Sequence, residues 1–91
     1  MDKQARQRLK SRAHSLKPII LTGHAGITES LLAEIDGALE HHELLKVRIN
    51  AGTREERNAM LAQICASLQA ESVQFIGHVV TLFRERPRRG T

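Results

Sequence analysis

Tryptophan and tyrosine are absent from this 91-residue chain, and its two phenylalanines, Phe75 and Phe83, fall inside apolar runs where packing accounts for them. A binding surface built on aromatic stacking is therefore not expected. The one cysteine, Cys65, cannot close an internal disulfide, and no apolar run has the length of a membrane span or the pattern of a secretory leader. A reduced, cytoplasmic protein without membrane contact is the expectation. Catalytic combinations are equally scarce. The histidines (His14, His24, His41, His42, His78) match no zinc-module spacing, Cys65 falls on the apolar side of a helical pattern, and the acids are spread over helix surfaces. No enzyme, metal, cofactor or small-molecule substrate is expected.

What the chain has is charge, unevenly placed. Residues 1–17 carry Lys3, Arg6, Arg8, Lys10, Arg12 and Lys17 against Asp2, and residues 84–91 carry Arg84, Arg86, Arg88 and Arg89 against Glu85. Between them, Lys46, Arg48, Arg54 and Arg57 face eight acids. Two readings fit this pattern: solubilising basic ends, or a patch for a polyanion if the fold brings the ends together.

Periodicity orders the chain. Ala5, Leu9, Ala13 and Leu16 make a narrow apolar stripe that predicts a largely cationic helix over residues 2–15. Pro18 stops it, and the Ile19-Ile20-Leu21 run reads as a buried strand. Leu31, Leu32, Ile35, Ala38 and Leu39 then form one face of a second helix, with Thr28 as N-cap. Leu45, Val47 and Ile49 alternate with Lys46, Arg48 and Asn50, the period of a strand buried on one face. A capping-box spacing from Thr53 to Glu56 opens a third helix with Met60, Leu61, Ile64, Cys65 and Leu68 on its apolar side. Two apolar runs, 73–76 and 79–83, flank Gly77-His78 as a hairpin. The expected fold is a compact α-β-α-β-α-β-β domain of the α/β class with a four-stranded mixed sheet. It occupies residues 1–84, followed by a basic flexible tail over 85–91.

The stretch LTGHAGIT, residues 21–28, is the most informative. Two glycines three apart follow a strand and precede a helix, so a permissive backbone meets the exposed N–H groups of a helix N-terminus. A tight strand-to-helix turn explains the same spacing. The loop lacks the Lys-Ser/Thr of a P-loop and the third glycine of a dinucleotide fingerprint. A G-x-x-G clamp on a nucleotide backbone remains, supported by the basic first helix, Lys46, Arg48 and the Arg-rich end.

The run LKPIILTGHAGITESLLAEIDGALEHHELLKVRI, residues 16–49, resembles the CRM domain, an RNA-binding module of chloroplast splicing and ribosome maturation factors, in its stand-alone bacterial YhbY-like form. Three signatures carry the resemblance: Leu16-Lys17-Pro18, the Gly23/Gly26 loop running into Ile27-Thr28, and HHELLKV over His41–Val47. Gly77 and the Phe83-Arg84 pair also fit. The Thr-Gly common in the family between the third helix and the next strand is missing around Leu68–Ser72.

The resemblance implies a fold like the C-terminal domain of translation initiation factor 3. It also implies RNA contact through a loop formed by Gly23, His24, Ala25 and Gly26, and association with large-subunit ribosomal RNA in assembly precursors. His24 and Ala25 supply no fixed charge where family members are often polar or basic. Phosphate binding is then expected from backbone amides of residues 24–28, through Ile27 and Thr28, with Lys3, Arg6, Lys10, Lys17, Lys46, Arg48 and Arg84 as flanking cations. Alternatives are a protein adaptor whose acidic second helix (Glu29, Asp36, Glu40) docks a basic ribosomal protein, and a general RNA chaperone or splicing-type factor.

Overall fold

The computed structural model describes residues 2–17, 20–22, 26–50 and 52–85, with Leu21 and Thr22 described by their backbone alone. Seven elements follow one another: α1 (Lys3–Ala13), β1 (Ile20–Thr22), α2 (Glu29–His42), β2 (Leu44–Ile49), α3 (Arg54–Leu68), β3 (Glu71–Ile76) and β4 (Val79–Phe83). β2, β4 and β3 pair antiparallel, and β1 joins β2 in parallel, so the strand order is β1-β2-β4-β3. The α/β class is as expected. β1 extends one residue past its apolar run, to Thr22, and α1 is shorter than 2–15 because the chain leaves the helix at Ala13 and turns through His14 and Ser15.

The alternation along β2 sorts the core into two parts. Leu45, Val47 and Ile49 face α2 and α3 and are fully buried with Ile20, Ile35, Leu39, Ile64, Val80 and Leu82. Leu44 faces the other way and packs with Leu9, Ala13 and Val73 under α1, joined by Leu16 and Phe83. The sheet is thus a middle layer, with α2 and α3 on one face and α1 crossing the other. Burying each of these Leu, Ile or Val side chains contributes about 1.5–3 kcal/mol, so the larger cluster dominates the stability of the fold.

Local chemistry sets each boundary. Asp2 accepts the Ala5 amide at 2.7 Å to start α1, and Thr28 accepts the Leu31 amide at 3.0 Å to start α2. Thr53 and Glu56 complete a reciprocal capping box at α3. α3 ends where Gln69 takes the left-handed conformation, with the amides of Gln69 and Ala70 both donating to the Cys65 carbonyl. The β3–β4 hairpin turns on Gly77 at φ +60°, and only its first turn residue needs positive φ, as in a type II′ turn.

Candidate functional site

β1 and β2 are parallel, so the helices they feed, α2 and α3, start at the same end of the sheet. The hairpin tip joins them there: the Ile49 amide donates to the His78 carbonyl at 2.7 Å, and His78 Nδ1 lies 3.1 Å from the Ile49 carbonyl. Gly26 sits at this end with φ +75°, a conformation that L side chains rarely adopt, and a Cβ built on it would meet nothing within 4 Å. Its space is open and its backbone is special. Gly23, His24 and Ala25, the rest of the expected loop, lie outside the described residues.

The two helix N-termini leave the same first two amides without an intrahelical partner and differ in the acids beside them. At α3 the capping box uses Thr53 and Glu56, and Glu55 adds a second acid to the first turn. At α2 the third helical position is Leu31, so there is no reciprocal carboxylate. Thr28 Oγ1 takes one amide, and the N–H groups of Glu29 and Ser30 have no partner within the helix. Ile27 and Leu32 pack on the same core cluster at the spacing of a hydrophobic staple, which fixes the angle at which the loop enters the helix. Such a terminus attracts an anion, although the Glu29 carboxylate in the same turn opposes it.

The flanking cations fall into three groups. Arg48 is exposed near the loop end of β2, with Nε donating to Asn50 Oδ1 at 3.1 Å. Lys3 and Lys17 are exposed and Lys10 half-buried along α1 and the residues after it; Lys3 and Lys10, two turns apart, share one flank of the helix. The third group is turned inward. Arg84, expected to contact phosphate, is engaged within the fold. Its Nη1 donates to Asp36 Oδ1 at 2.7 Å and the Leu68 carbonyl at 2.9 Å, and its Nη2 to the Asp36 carbonyl at 3.1 Å and Glu40 Oε1 at 3.2 Å. Four of the roughly five N–H donors of a guanidinium are thereby engaged.

Arg6 is engaged within the fold as well. Its Nη1 donates to the carbonyls of Ser72 and Val73 at 2.9 and 2.8 Å, where the bulge in edge strand β3 interrupts pairing with β4. Lys46 spends one donor on the Leu16 carbonyl at 3.0 Å, tying the end of α1 to β2. Exposed cations that the expected set omits are Arg8 and Arg12, outward on α1, and Arg54, the first residue of α3. The stripe of Leu9 and Ala13 already implies the orientation of the first two.

Elsewhere the chemistry is unpromising for an anion. A cleft of about 490 Å³ at the opposite end, among Glu40, Glu71, Glu85 and Arg84, carries more carboxylates than cations. Cys65 is half-buried against the core, and its thiol is pushed up from its ordinary pKa first by burial and then by Glu71, the reverse of what a nucleophile needs. Among the described residues no three His, Cys, Asp or Glu side chains gather as a metal site, and no helix is long and apolar enough to cross a membrane.

Comparison with known proteins matches this geometry to a family. The model of the CRS1 / YhbY (CRM) domain matches residues 1–84. A probable RNA-binding protein of Pseudomonas aeruginosa is 35% identical over 88 residues, covering 97% of this chain and 85% of the relative. An RNA-binding protein of Haemophilus influenzae is 43% identical over 79 residues, 87% of this chain and 80% of the relative. The solution structure of the hypothetical protein SAV1595 from Staphylococcus aureus aligns with a TM-score of 0.83 at 28% identity, covering 99% of this chain and 94% of that one. The chain belongs to the CRS1/YhbY (CRM) domain family.

Proposed function

We propose that this protein binds RNA, by its backbone phosphates, at the end of the sheet where Gly26 meets the N-terminus of α2, and that it assists assembly of the large ribosomal subunit. The observation that carries the reading is the contrast between the two helix starts. One first turn carries two carboxylates, Glu55 and the capping-box Glu56, whereas the other carries Glu29 alone and follows a glycine of positive φ. Relatives bearing the name RNA-binding protein support the ligand class. Amides of residues 24–28 hold one phosphate, and Lys3, Lys10, Lys17, Arg48 and the remaining donors of Lys46 hold others. The function is one of binding, without turnover. Residues 1–84 act as one domain, the 85–91 tail adds unspecific charge, and the likeness to the C-terminal domain of initiation factor 3 belongs to the same reading.

Ultraviolet crosslinking in cells, with sequencing of the attached RNA and mapping of the linked peptides, tests it. The expected result is enrichment of unprocessed large-subunit ribosomal RNA with links in residues 22–28 and along α1. Links confined to the Arg-rich tail on abundant RNAs of every kind would contradict it.

A further inference from the structure

Ile76 is the one large apolar side chain that stands well exposed among the described residues, at 67%. Its position in the sheet register shows what surrounds it. Ile76 pairs with Val79, Val79 with Arg48, and Arg48 with Leu21, so one row crosses all four strands. Directly paired residues share a face. Because Val47, Ile49 and Val80 point toward α2 and α3, Ile76, Val79 and Arg48 point the other way, to the side that α1 crosses. α1, however, packs over Leu44, Val73 and Phe83, at the far end of the strands, and is tied by the Leu16 carbonyl to Lys46. The row of Arg48, half-buried Val79 and Ile76 is the last before the hairpin tip, and among the described residues no element covers it.

This uncovered row lies between the two cationic regions that the RNA reading invokes, α1 and the loop end. A strand that runs from the loop end toward the N-terminal part of α1, which Arg6 ties to β3, passes over it. Two aliphatic side chains offer no partner to a phosphate, but they suit the flat face of a base, and the guanidinium of Arg48 adds a planar cation on which a base stacks. The Nε bond to Asn50 is the one bond of that guanidinium among the described residues, which steadies the plane and leaves the terminal nitrogens to a ligand.

We infer that the Arg48–Val79–Ile76 row receives an unpaired nucleotide of the bound RNA, its base lying on Ile76 and Val79 beside the Arg48 guanidinium. This rests on the RNA reading and deepens it: the ligand is RNA in which a single-stranded segment adjoins the phosphates held at the loop. A duplex keeps its bases stacked inside and gains nothing from the row.

The test measures affinity for a short single-stranded RNA and for a short blunt RNA duplex, using the whole chain, Ile76→Ser and Ile76→Phe. Ile76→Ser should weaken single-strand binding about 3- to 10-fold and Ile76→Phe should tighten it, with duplex affinity unchanged. The salt slope should also be unchanged, since a base contact releases no counterion. Equal single-strand affinity for all three proteins, or equal loss on both RNAs, overturns the inference. A concentration-dependent dimer that Ile76→Ser abolishes while single-strand affinity stays constant would assign the face to a second copy of the chain and overturn it too. Binding of neither RNA by the unsubstituted chain overturns the RNA reading itself, and the inference with it.

Discussion

At the scale of single residues, the cations of this chain divide by what their nitrogens touch. Arg84 looks in the sequence like one more member of a basic terminus, yet its side chain is only 17% exposed and joins the C-terminal part of α2 to the last turn of α3. Hydrogen bonds to charged partners contribute about 1.5–3 kcal/mol each when well shielded. Asp36 and Glu40 are about half exposed, so screening reduces the sum. Arg84→Ala should therefore lower stability by about 2–3 kcal/mol in urea denaturation. Arg84→Lys should recover little of it, because a point charge cannot serve four acceptors at once. RNA affinity should stay at the level of the unsubstituted chain in both variants; a loss without unfolding would return Arg84 to the binding set. The separation of Arg84 and Arg6 from the exposed Arg8, Arg12 and Arg48 was illegible in the sequence, since it depends on contacts between residues as far apart as Arg6 and Val73.

At the scale of elements, periodicity and capping carried most of the information. The alternation of Leu45, Val47 and Ile49 marked β2 and its buried face, Thr28 and Thr53 marked two helix starts, and Gly77 marked the hairpin. Helix ends were harder to read. α2 stops at Glu43 with φ 61° and α3 at Gln69 with φ 55°, both positions where glycine is the usual signal and neither has one. Tertiary contacts hold them in place, including the bond from the Arg84 amide to the Glu43 carbonyl at 2.9 Å. Gln69 falls within Leu68–Ser72, the stretch with no Thr-Gly. Gln69→Gly should relieve the left-handed strain and raise stability by about 0.5–1 kcal/mol, read as a higher urea midpoint at constant slope. A lower midpoint would show that the Gln69 side chain contributes more than its backbone costs. The α3 face is as its spacing implies: Met60, Leu61, Cys65 and Leu68 pack against the core around fully buried Ile64, and they stay partly buried because α3 is an outer layer that covers the sheet without being covered itself.

At the scale of the whole molecule, the fold gathers what the chain keeps apart. The parallel pair β1 and β2 sends both following helices off from one end of the sheet, and the β3–β4 hairpin folds back to the same end. The carboxylates Glu40, Glu71 and Glu85 collect at the other end, and α1 carries its exposed cations across the open face. A polyanion approaching the loop end avoids those three acids and meets Glu29, Glu55 and Glu56, the first-turn acids of α2 and α3. The candidate site was legible in the sequence as a loop position, as was the capping box that sets the second helix start apart, while the uncovered row beside the site required the strand register.

The central claim is that phosphate is held where Gly26 meets α2, and the most direct measurement compares the affinity of a short RNA duplex for the unsubstituted chain, Gly26→Asn and Gly26→Asp at several potassium chloride concentrations. Asparagine and aspartate are nearly the same size, both tolerate positive φ better than most residues, and the space around Gly26 is open, so the two differ chiefly in charge. The account predicts that Gly26→Asn binds within about 3-fold of the unsubstituted chain, and that Gly26→Asp binds about 10-fold or more weakly at low salt, with the gap narrowing as salt screens it. Equal affinity of the Asn and Asp variants for RNA, at every salt concentration, would contradict it.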